Sequence, residues 1–168
     1  MALITSPTQV PDLNYEYHTI TIDSVGQDSS NTFSVFLQQP LRNVVQARLL
    51  AAHIHSNVST EHCYVSIKEL DSIFSDRASN VLTGQGHLSM LRSSFASIIT
   101  SDADHVGGNS LITFKDDYPL VTQYINPIKQ IDRLTVTIRD QRGDTIKNST
   151  DDGDNFLVLK FVCRKPNL

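Results

Sequence analysis

Histidine and cysteine are the first residues that invite chemistry. His53 and His55 lie two positions apart, which puts them on one face of a strand, and His62 and Cys63 follow just after the next turn. Such a set could bind zinc if a hairpin gathered it. Neither a C-x2-C nor an H-x3-H spacing accompanies it, so strand and turn residues at a wet sheet edge are the expected reading. The acidic stretches come next. Asp102-Ala103-Asp104-His105-Val106-Gly107 begins like a calcium loop, with carboxylates at positions one and three. Its fifth position is Val106 and its twelfth is Thr113, so the later ligands are missing. Asp151-Asp152-Gly153-Asp154 and Asp116-Asp117 read as solvated loops, although a carboxylate pair could in principle serve glycoside chemistry.

Arg142-Gly143-Asp144 matches an integrin-binding tripeptide, but it stands where a hairpin needs glycine in a strained turn. Asn57-Val58-Ser59 and Asn148-Ser149-Thr150 are formal glycosylation sequons, and chance accounts for both. The chain carries no G-x-S-x-G elbow, no phosphate-binding glycine loop and no H-E-x-x-H pair. Catalytic, cofactor-binding and metal residues are therefore all expected to be none, and the protein is expected not to be an enzyme.

The elements that would hold these residues are short and extended. The chain has 168 residues, a length that fits one domain. Val, Ile and Thr number 41 and suit a pleated, half-buried surface. Ser and Thr together number 32, while charged residues are only 19 %, so polarity comes mainly from hydroxyls. The net charge of −4 argues against a nucleic-acid partner. No apolar run reaches the roughly 18 residues of a membrane span. The opening Met1–Pro7 lacks a basic region and an adequate apolar run, so no signal peptide is expected. Two cysteines, Cys63 and Cys163, are expected to be reduced and buried, as suits synthesis in a reducing cytoplasm.

Residues 1–14 read as an extended N-terminal arm, and residues 15–168 as one β-domain. Period-two alternation predicts strands over Tyr17–Asp23, Phe33–Leu37 ending at Pro40, Val44–Ile54, Tyr64–Ile67, Phe95–Ile99, Leu111–Phe114, Arg133–Arg139 and Phe156–Cys163. In the third, Leu50, Ala52 and Ile54 are expected to share a face. Long connections are expected over Leu70–Arg92 and Lys115–Asp132, with a polar loop over Ser101–Ser110. Eight antiparallel strands with uneven connections fit a single jelly roll, a two-sheet sandwich, better than an up-and-down barrel.

Three stretches then carry a family resemblance. The first is Thr19-Ile20-Thr21-Ile22-Asp23-Ser24, with Phe33-Ser34-Val35-Phe36-Leu37 and Pro40-Leu41-Arg42-Asn43-Val44, leading into Leu49–Ile54. The second is Tyr64-Val65-Ser66-Ile67-Lys68-Glu69-Leu70. The third runs from Ile128 through Asp140 to Gly143 and a final apolar strand. In these the chain resembles the single-jelly-roll penton and minor capsid proteins of large icosahedral double-stranded DNA viruses that infect algae and amoebae. The resemblance implies a structural role in the virion, with no cofactor and no catalytic site. It implies a penton at the fivefold vertex, a homopentamer touching the major capsid protein and other minor capsid proteins, or else a minor (cement) capsid protein. A lectin-like jelly roll using loop aspartates with Tyr118 and Tyr124 is the alternative from another class. A cupin-type enzyme is a third, and the His53/His55 pair falls short of its metal motif.

Overall fold

The computed structural model describes residues 14–56, 60, 62–70, 81–82, 86–87, 94–99, 104–106, 109–115, 121–141, 143–146 and 153–166. Among them are ten strands and no helix: β1 (Tyr15–Asp23), β2 (Thr32–Ser56), β3 (His62–Ile67), β4 (Val81–Leu82), β5 (Gly86–His87), β6 (Ala96–Ile99), β7 (Asp104–Val106), β8 (Asn109–Lys115), β9 (Val121–Arg139) and β10 (Phe156–Arg164). Every pairing is antiparallel. The first half of the chain pairs with the second: β1 with β10, β2 with β8 and β9, β3 with β6. Two further pairings, β10 with β2 and β9 with β3, wrap this long hairpin around itself. The result is an all-β, curled antiparallel sheet, a half-barrel, with its core on the concave side.

Alternation supplies that core. Leu157, Leu159, Phe161 and Cys163 of β10 are buried, as are Leu134, Val136 and Ile138 of β9. Along β2 the buried positions are Phe33, Leu41, Val44, Ala47, Leu49, Ala52 and Ile54, so their parity changes more than once. The change between Leu41 and Val44 falls at Asn43, whose φ is +52°, and the two later changes are caused by β-bulges. Val44 and Gln46 face consecutive residues of β10, as do Leu49 and Ala51, so Val45 and Leu50 are each extra. Leu50 is therefore only half-buried, and Leu49, not the expected Leu50, enters the core.

Four expectations are corrected. Pro40 does not end a strand: β2 runs on through it to Ser56. The connection expected over Lys115–Asp132 is largely strand, because β9 starts at Val121 and passes through Pro127. In both cases the proline sits where the β2–β9 ladder is interrupted, between Phe36 and Leu41 on β2 and between Gln123 and Ile128 on β9. Its missing N–H then costs no ladder bond. The loop expected over Ser101–Ser110 contains β7 and the start of β8, paired as a hairpin. The excursion Leu70–Arg92 likewise holds the two-residue pair β4 and β5. The apolar pattern is too thin in these short hairpins for periodicity to reveal them. Of the expected arm, only Asn14 lies within the described residues.

Candidate functional site

The histidines separate into two places. His53 and His55 lie near the end of β2 with ring centroids 5.2 Å apart, and Phe156 of β10 stands 6.3 Å from His53. Gly153 closes over His55, where an added Cβ would come 2.9 Å from the ring. His62 belongs to β3, in another set of pairings. It stacks on Tyr64 at 4.5 Å and shares a hydrogen bond with the Ser97 hydroxyl. Cys63 points the opposite way into the core, where burial pushes its thiol up to about 12. Cys163 is also free and buried; burial raises its pKa, as does the nearby Glu16 carboxylate, against a backbone hydrogen bond at Arg42. The structure thus does not gather His53, His55, His62 and Cys63. Among the described residues no group of three or more His, Cys, Asp or Glu side chains is placed to hold a metal ion.

The acidic turn has a structural use. Asp154 accepts a hydrogen bond from the Ser24 hydroxyl at 3.1 Å. Beside it Asn155, fully buried, is a hub that the sequence analysis missed. Its side-chain amide donates to the Ser30 carbonyl at 2.7 Å and to Asn31 Oδ1 at 2.8 Å, and its Oδ1 accepts from the His55 backbone N–H at 2.7 Å. Ser30 donates to the Gly153 carbonyl, and Ser24 accepts from the Asn155 N–H. The loop between β1 and β2 is thereby fastened to the start of β10 and the end of β2. The run of Ser and Asn in that loop reads as turn formers, and only the fold shows where they converge.

Gly143 and Asp144 of the Arg142-Gly143-Asp144 tripeptide stand at a turn. Gly143 has φ +91° and donates its N–H to the Asp140 carbonyl, while Asp144 N–H donates to the Asp140 carboxylate. Arg142, Asp102, Asp116, Asp117, Tyr118, Asp151, Asp152 and both sequons at Asn57 and Asn148 lie outside the described residues.

Two surface grooves offer room for a partner. One, of about 530 Å³, runs between residues 18–23 of β1 and residues 35–41 of β2. Phe36, 78 % exposed, projects at its wall. The other, of about 480 Å³, lies on the convex face and is lined by Tyr15, Tyr17, Gln46, Tyr124 and Ile125 among others. Register explains its composition: Tyr17, Val162, Gln46 and Gln123 form one row across four strands. Lys160 and Arg48 stand opposite each other in an adjoining row, and the Lys160 ammonium lies 5.5 Å from the Tyr17 ring centroid. The Tyr15/Tyr17 alternation was visible in the sequence; the bulge at Val45, which sets the register that faces Gln46 with them, was not. Tyr124 reaches inward instead, donating its hydroxyl to the Leu70 carbonyl at 2.7 Å.

Compared with known protein families and with curated proteins, the sequence matches none of them. No helix among the described residues is long and apolar enough to cross a membrane.

Proposed function

We propose that this chain is a structural capsid protein, the penton that forms the fivefold vertex of an icosahedral double-stranded DNA virus. The observation that carries the reading is the winding order. Taking residues 32–37 and 44–56 of β2 and residues 133–139 of β9, and setting aside the rest of β9 and the short β4, β5 and β7, leaves eight segments in chain order: β1, residues 32–37, residues 44–56, β3, β6, β8, residues 133–139 and β10. Their pairings run 1-8-3-6 on one side and 2-7-4-5 on the other. That is the order of a jelly roll, a long hairpin rolled into two four-stranded sheets, and capsid and lectin domains use it. In this reading the curled sheet would count as two, and the bent β2 and β9 would be the ribbon that joins them. A closed fivefold ring needs heterologous contacts between different faces of neighbouring copies. The two grooves, lying on different parts of the molecule, supply candidate faces. In the virion such a ring would sit among major and minor capsid proteins.

Native mass spectrometry across a range of concentrations tests this reading. A discrete species at five times the 18.7 kDa chain is the expected result. A monomer at all concentrations contradicts a self-assembling penton and moves the assignment to a minor capsid position. The convex groove favours one second reading, a lectin-like jelly roll: Tyr15 and Tyr17 offer ring faces beside the Gln46 amide and the Lys160 ammonium. A glycan array separates the two, since saturable binding of one sugar class, lost in Tyr17→Ala, belongs to the lectin alone.

A further inference from the structure

The outer face of β1, β10 and β2 gathers cations on a chain whose net charge is −4. Residues opposite each other in an antiparallel ladder share a face. Thr19, Lys160 and Arg48 therefore form one row, Tyr17, Val162 and Gln46 the next, and Tyr15 with Arg164 a third. Alternation turns Glu16 to the other face, opposite Cys163. Along this face of β1 the nearest carboxylate is Asp23, four residues beyond Thr19 and so about 13 Å away. Among the described residues no carboxylate forms an ion pair with Lys160. Lys160 and Arg48 stand directly opposite each other, where like charges repel. The Tyr17 ring, 5.5 Å from the Lys160 ammonium, covers that cation from one side. Beside them is a small cavity of about 80 Å³, lined by Tyr17, Gln46, Arg48, Lys160 and the buried Val162. Four of these five side chains carry hydrogen-bond donors, two of them cationic.

We propose that this cavity binds the acidic group, a sulfate ester or a carboxylate, of a sugar whose ring lies on Tyr15 and Tyr17. The inference rests on the lectin-like reading of the convex groove and names its sugar class. An oxyanion seated against Lys160 and Arg48 replaces their repulsion with two charge-assisted contacts. Both cations are half-buried, so such contacts are screened less than at an open surface. The Gln46 amide and the Tyr17 hydroxyl are further donors for the remaining oxygens. The cavity shares Tyr17, Gln46 and Val162 with the larger groove, so a ring attached to the anion extends onto the two tyrosines. Their rings offer apolar faces to the C–H side of a sugar, and their hydroxyls offer it hydrogen bonds. A nucleic acid suits this face less, because it needs a track of cations along its backbone. Here two cations flank one cavity with room for a single group, next to uncharged tyrosines and glutamines.

An array of glycans printed in matched pairs, sulfated or uronate-bearing beside the uncharged counterpart, tests the assignment, with polyphosphate spots as a control. The full-length chain should bind acidic members about tenfold or more better than their partners, and the two kinds of pair tell sulfate from carboxylate. Lys160→Gln should remove that preference, and Lys160→Arg, which keeps the charge, should retain it. Tyr17→Ala should weaken binding of the acidic glycans and leave polyphosphate unaffected. Lys160 is half-buried and Tyr17 exposed, so all three variants should melt as the natural chain does. Acidic and uncharged members bound alike overturn the acid subsite and leave the lectin-like reading standing. No binding to any glycan overturns both. A preference for acidic members that survives Lys160→Gln places the acid elsewhere and overturns the proposal. Acidic glycans bound no better than polyphosphate, and indifferent to Tyr17→Ala, show attraction by charge alone and overturn it as well.

Discussion

Asn155 holds more of the molecule together than any residue that looked chemical. Its side chain meets two loop acceptors and one strand N–H with no exposure to water. Asn155→Ala leaves those partners buried and unsatisfied, and each such group costs about 1–3 kcal/mol. Chemical denaturation should therefore show a loss of roughly 3 kcal/mol or more. A loss under about 1 kcal/mol would mean that the loop between β1 and β2 is held by something else. Cys63 makes a different prediction. Its thiol ionises near 9.0 when unfolded and only at about 12 when folded. Below pH 9 both states are protonated and the group contributes no pH dependence. Above it the unfolded chain releases a proton that the folded chain keeps, so stability falls by about 1.4 kcal/mol per pH unit until the folded thiol also ionises. Urea unfolding between pH 8 and 11 should show this extra slope in the natural chain and not in Cys63→Ala; equal slopes would contradict the burial.

At the scale of the element, the bulges at Val45 and Leu50 decide which side chains of β2 enter the core. Deleting Leu50 removes the extra residue and leaves Leu49, Ala52 and Ile54 at plain two-residue spacing on one face, whereas inserting an alanine between Ala51 and Ala52 turns Ala52 and Ile54 outward, since a one-residue slip exchanges the faces of a strand. The insertion should abolish cooperative thermal unfolding, whereas the Leu50 deletion should retain it. Similar melting for the two would deny that register is set there. These bulges also mark how far the sequence was legible. Strict alternation located β9 over residues 133–139 and β10 almost to the residue, because one face is buried throughout. Between Val44 and Ile54 the alternation continued through a parity change, and the wrong leucine was placed in the core. The prolines misled for a related reason. Pro40 was read as the end of a strand and Pro127 as part of a connection, yet each occupies an interruption of the ladder within a longer strand. Of the candidate sites, the tyrosines at 15 and 17 were visible, but the groove between two free edges depends on pairings distant in sequence.

For the whole molecule, the account joins a rolled hairpin of jelly-roll order to a role carried out by shape. Among the described residues, strand edges without a strand partner beside a groove lined mainly by uncharged side chains are features that isolated chains usually protect against association. In the proposed assembly neighbouring copies would lie against such features. Electron microscopy of the purified full-length chain in negative stain tests that claim most directly. The account predicts class averages of a closed ring with five equivalent subunits. Rings of another order, or only single half-barrels at every concentration, would contradict it.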